Sequence, residues 1–429
     1  MSATTSTTTA AASSSESALE RMRWPVVILL SLGMVIAYFD RVNLSVALPS
    51  MAGGFDWSET QQGMALSAIF WTYTALQIPS GYLVDRFGVR TPYLIGFLLW
   101  SLASAATALT TGLAALIAIR MLVGVGESVV TPASMRYIRL HFDEKQRGLA
   151  VGLYMTGTKV GPALGLPISA YLVSEYGWQP MFLMIGAVSL VWLVPWLLWV
   201  KKDDVAAQPG SSAAVKKATG GAKVSAGAIL KTPLIWGILL GTYCYMYFVY
   251  YCMTWMPTYF KQEYGMSVKE MGWYGGVSFG GMAAVAALAG YAADVLIRRG
   301  WDPVNVRKGF TIAGFCMAAT QTIGAFTTNV DVMLFFAVFS LCGLGLATAN
   351  YWALTQTLIP GGSIALVVGI QNTAANLAGI VAPWLTGFLI ERTGAFDAPV
   401  KAVGVWLVLG IASYVFLVRE KYAPVASEA

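Results

Sequence analysis

Apolar residues form long runs along this chain, and polar residues are confined to shorter segments between them. A helix needs roughly 20 mostly apolar residues to cross a bilayer. Runs of that kind cover residues 24–48, 60–83, 91–110, 113–135, 147–173, 181–200, 233–257, 270–293, 308–327, 331–357, 364–390 and 399–418. A soluble helical protein would need a polar face repeating every 3.6 residues, and these runs lack one. The pattern predicts an all-α polytopic membrane protein with twelve transmembrane helices.

Polar segments divide this pattern into two six-helix halves. Residues 201–231 are rich in Ala, Gly, Ser and Lys, which is typical of a flexible linker. The first residues have too little apolar surface to order by themselves. The predicted organisation is a disordered tail over 1–22, an N-terminal half over 23–200, the linker over 201–231, a C-terminal half over 232–420 and a tail over 421–429. The segment "GYLVDRFGVR" (81–90) is echoed by "GYAADVLIRRG" (290–300), which supports an internal repeat.

Composition and charge fit this reading. The 429 residues are 57% hydrophobic and 11% charged, with a formal net charge of +6; soluble domains carry about 25% charged residues. Most Lys and Arg fall in loops on one side, and the exceptions on the other side are Lys261, Lys269, Arg392 and Lys401. Basic loops stay in the cytoplasm, so both termini are predicted to be cytoplasmic, in a cell membrane, with a bacterial inner membrane expected. The charge then reflects topology and predicts no nucleic-acid partner.

Five charged residues remain inside the predicted spans, all in the first half: Asp40, Arg41, Arg120, Glu127 and Lys159. Such charges are costly in lipid and usually functional. Three cations against two acids leave one positive charge, which a bound carboxylate would neutralise, and the fork of an Arg fits a carboxylate. The three cations are therefore substrate-binding candidates and the two acids are proton-carrying candidates. Structural ion pairing is the alternative for each Arg, and snorkelling to an interface is the alternative for Lys159.

Depth estimates put these charges in one band. At a rise of 1.5 Å per residue, Asp40 and Arg41 lie about 10–12 Å from the outer end of span one. Arg120 lies about 10 Å and Glu127 about 20 Å from the outer end of span four, and Lys159 lies about 20 Å down span five. All fall within the hydrocarbon core, in a band that a small molecule and side chains could bridge.

Uncharged polar side chains complete the candidate site. A hydroxylated anion needs neutral donors and acceptors opposite a cationic wall. The candidates on spans one, two, seven and eleven are Tyr38, Tyr73, Tyr243, Tyr247, Asn372 and Asn376. Interfacial packing is the alternative for the tyrosines, and hydrogen bonding between helices is the alternative for the asparagines.

The sequence predicts neither enzymatic chemistry nor a resident cofactor. The four cysteines form no CxxC pair, and the single histidine, His141, lies in a basic loop. No nucleophile–base pair, metal cluster or phosphate-binding loop stands out. A membrane receptor would want a sizeable soluble domain, and none is evident. The expected partners are a small molecule and the lipid bilayer, with a monomeric chain.

Four segments carry a family resemblance: the loop motif "GYLVDRFGVR", "YFDRVNLSVALP" in span one, "RMLVGVGESVVTPA" in span four and "NTAANLAGIVAPWLTGFL" in span eleven. With them, residues 24–420 resemble the major facilitator superfamily and, within it, the anion:cation symporter branch. That branch includes permeases for galactonate, hexuronates, glucarate, tartrate and phthalate. The resemblance implies two six-helix halves that rock about a midplane site.

The resemblance also implies an activity and residue roles. It implies a symporter, driven by protons or alternatively by sodium, that takes up a small organic anion such as a sugar acid or dicarboxylate, with coupling at Asp40 and Glu127. The added cation at Lys159 tilts the substrate toward a dicarboxylate. A latch that holds the outward-facing state is implied at the cytoplasmic helix ends, formed by Gly81, Asp85, Arg86, Gly88, Arg90 and Arg147.

Two other transport modes stay open. "GTKVGPALGL" (157–166) partly resembles the signature of proton-coupled drug antiporters, so efflux of a drug or metabolite is the main alternative. It lacks a second glycine at Leu166, and intramembrane arginines would repel a cationic drug. Facilitated uniport is the other alternative.

Overall fold

The computed structural model describes residues 5–200, 226–324, 326–327, 329–359 and 363–424, and in these residues it contains helices and no strand. Spans one to six are Thr5–Phe55, Glu59–Phe87, Arg90–Ala106 with the 3₁₀ turn Thr107–Leu109, Leu113–Glu127 with Val130–His141, Glu144–Tyr176, and Trp178–Val191 with Leu193–Trp199. After the short helix Ala226–Leu230, spans seven to twelve are Pro233–Tyr264, Val268–Arg298, Pro303–Ala319 with Gln321–Gly324, Val330–Leu358, Ile364–Thr393, and Asp397–Ala412 with the π-helical turn Ser413–Leu417. The 3₁₀ turn Glu420–Tyr422 follows. The predicted fold class is confirmed.

Nine of the described helical segments are long and apolar enough to cross a membrane by length and composition alone. The remaining three are spans two, five and nine. Span nine is short, with 17 residues in its main helix. Spans two and five carry polar residues such as Gln62, Gln77 and Lys159. They pack against the other half of the protein, where a fully apolar surface is not required.

Span one is longer at both ends than the hydrophobic pattern predicts. Its helix runs from Thr5 to Phe55 rather than over 24–48. The backbone of residues 5–22, predicted to be disordered, is helical and continues span one; extending an existing helix costs less than starting a new one. Most of the predicted linker, residues 201–225, lies outside the described residues, as do 1–4 and 425–429.

The second span of each half begins with the same capping device. Ser58 accepts a hydrogen bond from the backbone N–H of Gln61, whose side chain accepts one from the N–H of Ser58. Ser267 and Glu270 form the same reciprocal pair at the start of span eight. This satisfies first-turn donors that have no partner within their own helix. The two halves therefore share local structure as well as topology.

The halves meet along two seams that are lined by small residues. In the seam between spans two and eleven, a Cβ added at Gly63 would meet the Pro383 carbonyl, and one added at Gly387 would clash with the Glu59 carbonyl. In the seam between spans five and eight, Gly272 approaches Ala170 equally closely. Helices in lipid associate through such close packing of small residues. The seams thus run through two pairs of helices in equivalent positions of the two halves.

A close approach within the first half places span four beside span two. A Cβ added at Gly124 would clash with the Ile69 carbonyl and with the Thr72 hydroxyl. Thr72 donates a hydrogen bond to the Met121 carbonyl at 2.6 Å. Glycine at 124 is therefore needed for spans two and four to pack at this distance.

Replacing Gly124 by Ala is expected to destabilise the protein by about 1–3 kcal/mol, the usual cost of overpacking a filled interface. A matched control is Gly152→Ala in span five, where an added Cβ meets nothing within 4 Å. That change should be neutral or slightly stabilising, since Ala is the better helix former. Unfolding temperatures in detergent would compare the two variants; equal temperatures would contradict the packing argument.

Candidate functional site

The centre of the first half holds a buried ion pair between spans one and four. Arg41 donates to a single carboxylate oxygen of Glu127 through Nε at 2.9 Å and through Nη2 at 2.8 Å. Arg41 is 6% exposed and Glu127 is 0% exposed. Breaking such a pair leaves an uncompensated buried charge, which costs several kcal/mol. The two side chains therefore hold each other in place.

Aromatic rings enclose the guanidinium of Arg41. Its central carbon lies 4.5 Å from the ring centre of Tyr38, 4.6 Å from that of Tyr73 and 5.6 Å from that of Phe70. A cation over an aromatic face is attracted by the ring quadrupole, more strongly where water is excluded. Tyr38 and Tyr73, both predicted site residues, thus contact Arg41 directly.

The pairing requires Arg41 to lie deeper than the hydrophobic pattern suggests. Because span one ends at Phe55 rather than near residue 48, Arg41 is about 21 Å along the helix from that end. Glu127 is also about 21 Å from the start of span four at Leu113. The sequence analysis placed Arg41 and Glu127 at different depths because it predicted that span one ends near residue 48.

Asp40 and Arg120 form a second buried cluster beside the first. Asp40 accepts hydrogen bonds through Oδ1 from Asn43 at 2.9 Å and from Ser104 of span three at 2.7 Å. Arg120 donates from Nη2 to the backbone carbonyl of Asp40 at 3.0 Å. Asp40 and Arg120 are both buried, and the guanidinium bonds the backbone rather than the carboxylate. Arg120 thus ties span four to span one.

Several atoms of these two clusters have no hydrogen-bond partner in the described protein. They are Asp40 Oδ2, Asn43 Oδ1, Glu127 Oε1, and Nε and Nη1 of Arg120. Each carboxylate therefore keeps one oxygen that can hold a proton without breaking an existing hydrogen bond. Buried polar atoms without partners are uncommon in proteins and frequently mark functional sites.

Lys159 is placed apart from the acids, at the boundary between the halves. Its Nζ lies 5.8 Å from the ring centre of Tyr245 in span seven, and the side chain is partly exposed. Tyr245 donates to or accepts from Thr348 of span ten at 2.7 Å. Among the described salt bridges none includes Lys159. The positive charge of this lysine therefore lies beside uncharged side chains, Tyr245 and its partner Thr348.

Tyr243 and Tyr247, the predicted site residues of span seven, lie apart from the neighbouring Tyr250. Tyr243 and Tyr247 pack against Trp406 of span twelve, with ring centres 5.0 and 5.6 Å away. They lie within the second half, outside the charged clusters. Tyr250 instead packs edge-on against Phe70 at 4.6 Å, next to the ring enclosure of Arg41. The face of span seven that meets the first half therefore carries Tyr245 and Tyr250.

Span eleven brings the predicted asparagines to the same boundary. Asn372 is partly exposed and Asn376 is buried, one helical turn apart. One turn further on, a Cβ added at Gly379 would press on the ring of Phe70. Asn376 is thus buried one turn from the point where span eleven meets Phe70 of the first half, and its role in specificity stays a prediction.

The residues predicted to form a latch make contacts within their own half. Asp85 at the end of span two accepts a hydrogen bond from Arg136 of span four. Arg90 donates to the Leu197 carbonyl of span six at 3.1 Å. These bonds fasten helix ends of the first half to one another.

The other members of the predicted latch have local roles. Gly88 ends span two at φ 82°, a conformation that favours glycine. Arg86 stacks over Phe87 at 5.4 Å, and Arg147 donates to the Phe142 carbonyl at 3.2 Å. An added Cβ at Gly81 would meet nothing within 4 Å. The latch function itself stays a prediction.

The contributors to the site that the sequence-based prediction does not include are Asn43, Phe70, Ser104, Tyr245 and Tyr250. Ser104 belongs to "WSLASAA" in span three, where two serines one turn apart share a face of an apolar helix. That polar stripe is a signal that could have identified it. Phe70 and Tyr245 gain their roles only from the packing of distant helices, and aromatic residues in spans are too common to be singled out.

The arrangement suits ionic chemistry. Within the described residues, no group of three or more His, Cys, Asp or Glu side chains is placed to hold a metal ion. The carboxylates that can take protons lie within the first half, Arg41 lies beside Phe70, which packs against Tyr250 of the second half, and Lys159 lies beside Tyr245 at the boundary between the halves. Such a set can exchange one anion for another at a guanidinium while a proton moves on or off a carboxylate.

Comparisons with known proteins agree with this architecture. A family model described as the Major Facilitator Superfamily matches residues 30–383. The D-galactonate transporter of Escherichia coli O6:H1 is 31% identical over 423 residues, covering 93% of this chain and 96% of that protein. The hexuronate transporter of Bacillus subtilis is 30% identical over 393 residues, covering 89% and 91%. A bacterial homolog of the human lysosomal transporter Spinster, solved in an inward-facing and occupied conformation, has the same fold, with a TM-score of 0.76 at 18% identity over 95% of this chain and 99% of that one.

The ion pair predicts a non-additive mutant cycle. Glu127→Ala should lower stability by about 3–5 kcal/mol, because it strands the buried charge of Arg41. The double variant Arg41→Met/Glu127→Ala should recover much of that loss. Unfolding temperatures in detergent would measure the cycle. Additive effects of the two changes would show that the pair is not coupled.

Proposed function

Because the chain belongs to the major facilitator superfamily, we propose that it takes up a small organic anion together with a proton, by alternating access. It is a polytopic membrane transporter and not an enzyme. In the proposed orientation both termini and the linker lie in the cytoplasm, and a bacterial inner membrane is the expected location. The chain is proposed to work as a monomer and without a resident cofactor.

The observation that carries this proposal is the buried pair between Arg41 and Glu127. Arg41 of span one lies beside Phe70 of span two, and the ring of Phe70 packs against Tyr250 of the second half. The hydrogen bonds of Arg41 are directed to Glu127. A substrate carboxylate that binds Arg41 must compete with the Glu127 carboxylate. Protonating Glu127 removes that competitor, so a proton favours the anion. By linkage, the bound anion favours the proton to the same extent.

Asp40 provides a second protonatable group close to the pair. The Asp40 and Glu127 carboxylates lie on the two helices that Arg120 joins. Their titrations are therefore expected to be coupled, and the two acids are best treated as one proton-binding unit. Sodium is the alternative coupling ion, and the same competition would apply to it less directly, because a sodium ion needs several oxygen ligands.

Lys159 supports an anionic substrate over a cationic one. Its ammonium group lies beside the ring of Tyr245, and none of the described salt bridges joins it to an acid. A cationic drug would be repelled there, which disfavours the antiport alternative. The relatives named for D-galactonate and hexuronate suggest a sugar acid as substrate. A second carboxylate, as in an aldarate, would suit two cations, Arg41 and Lys159.

Neutral groups of the second half are proposed to recognise the substrate hydroxyls. Tyr245 lies next to Lys159 of the first half, and Asn372 and Asn376 lie on span eleven, which packs against span two. Gln371 is engaged within the second half, donating to Thr242 at 2.8 Å. Tyr243 and Tyr247, packed on Trp406, support span seven instead of contacting substrate.

Replacing Glu127 by Gln should abolish proton-driven accumulation and spare exchange. The amide cannot carry a proton on and off, yet it still offers Arg41 an oxygen acceptor. Proteoliposomes with an inward proton gradient would be assayed with labelled D-galactonate, and counterflow would be measured without a gradient. The exposed acid Asp331 supplies a control, Asp331→Asn, which should behave like wild type. Full proton-driven accumulation by Glu127→Gln would refute the coupling role.

Replacing Lys159 by Gln should weaken anion binding by about tenfold, the effect of roughly 1.4 kcal/mol. Lys159→Arg, which keeps the charge, should retain most of the affinity. Thermal-shift titrations with D-galactonate, D-glucuronate and galactarate would measure both variants. If two cations hold two carboxylates, galactarate should lose the most. Unchanged affinity for all three anions in Lys159→Gln would exclude Lys159 from the site.

A further inference from the structure

Two polar contacts join the halves at the side of the bundle opposite the termini. Glu391 in the last turn of span eleven accepts hydrogen bonds from the Ser58 hydroxyl at 2.8 Å and from the Thr60 N–H at 3.0 Å. Glu175 at the end of span five accepts one from Lys269 at the start of span eight, at 2.5 Å. Among the described hydrogen bonds, these are the ones that cross from one half to the other. We call them the Glu391 clamp and the Glu175 clamp.

The two clamps occupy equivalent positions of the internal repeat. The alignment that sets Gly81 on Gly290 also sets Ser58 on Ser267, Thr60 on Lys269 and Gly63 on Gly272, without a gap. Ser58 and the backbone N–H of Thr60 donate in the Glu391 clamp, the side chain of Lys269 donates in the Glu175 clamp, and the two glycines line the two seams. The acceptors both lie at the ends of the matching spans five and eleven. The clamps therefore form a pseudo-symmetric pair, one on each seam.

The Glu391 clamp is explained by helix electrostatics. A carboxylate in the last turn of its own helix is unfavourably placed, because the carbonyl end of a helix carries partial negative charge. At the first turn of span two the same carboxylate meets free N–H groups and a partial positive charge. The Ser58 hydroxyl accepts from the Gln61 N–H while it donates to Glu391, and the Thr60 N–H donates to the same carboxylate oxygen. Glu391 acts as an additional N-cap supplied by the other half.

The Glu175 clamp is a more exposed contact. The side chains of Lys269 and Glu175 are 55% and 42% exposed, and Lys269 also lies over the ring of Tyr171 at 5.6 Å. Exposed ion pairs contribute little to stability by themselves. A weak contact can nevertheless bias two conformations whose free energies are close, since only the difference between the states matters.

We propose that the two clamps together hold the transporter closed on its outer side and that both must open before an anion can enter from there. The proposal rests on the proposed alternating access and orientation. With both clamps closed, the boundary site is shut off from the outer side at two seams. Opening the outer side separates Glu391 from span two and Glu175 from span eight. Removing the clamps should therefore favour the state that is open to the outside.

The test measures the distance between the halves directly, without substrate. Spin labels would be placed on cysteines at Gly54 and Asp331, both exposed at this side on different halves, in a background without the native cysteines. Wild type should give mostly one short distance. Glu391→Gln should about double the fraction of longer distances, and Glu175→Gln/Glu391→Gln should raise it further. An unchanged distribution in the double variant would overturn the proposal.

Two controls separate the clamps from general loss of charge or of structure. Glu263→Gln removes an exposed acid at the same side that has no described hydrogen bond to the other half, and it should match wild type. Glu175→Lys should open the outer side, and the swap Glu175→Lys/Lys269→Glu should restore the closed distance by re-forming the pair. Failure of the swap to restore it would also count against the clamp.

Transport assays then distinguish this proposal from the proposed function. If the distances shift as expected but no tested anion is transported, the clamps stand and the proposed substrate or coupling is wrong. If wild type transports a sugar acid but the distances do not respond to either clamp, the clamps are wrong and the transport function stands. A disulfide between Ser58→Cys and Glu391→Cys should block uptake and be reversed by reductant; uptake unaffected by that disulfide would overturn the proposal.

Discussion

In the middle of the first half, Arg41 and Glu127 bury opposite charges against each other, and the surrounding helices are placed to make this possible. Removing two ions from water costs several kcal/mol each, and only close pairing with good hydrogen bonds offsets it. Gly124 lets span four lie against span two, and three aromatic rings enclose the guanidinium. In the proposed mechanism an incoming carboxylate competes with Glu127 for Arg41, so the interaction that orders the first half would also be the one that substrate and proton act on.

Where it meets the charged first half, the second half presents uncharged side chains. Tyr245 and Tyr250 meet the first half with their rings, and neither introduces a charge. Small residues along both seams let the helices of the two halves touch closely without interlocking large side chains. In the proposed mechanism, such seams let one half rock against the other, and the two clamps at their ends favour the state that is closed on the outer side. The asymmetry of charge between the halves is thus compatible with a symmetric motion.

Much of the fold and part of the site could be predicted from the sequence, for identifiable reasons. Spans were predictable because lipid requires about 20 apolar residues and leaves no alternative to a helix here. Asp40, Arg41, Arg120, Glu127 and Lys159 were predictable because charge in such spans is rare. The end of span one was not predictable. The segment "SMAGGF" is not apolar enough to be counted as part of a span, and it does not stop the helix either. That error alone displaced Arg41 from Glu127 in the depth estimates.

The sequence alone indicated that the chain lies in a lipid bilayer rather than in water. It also indicated the number of helices, the division into halves and the set of charged residues within the spans, because each follows from local composition and spacing. Only the tertiary structure decided which charges meet. Arg41 pairs with Glu127, Arg120 bonds the backbone of Asp40, Lys159 faces Tyr245, and Tyr243 and Tyr247 turn toward Trp406. These partners are far apart in the chain, and their contact depends on helix rotation and on close approaches at glycine. A pattern along one helix cannot specify the face that another helix will present to it.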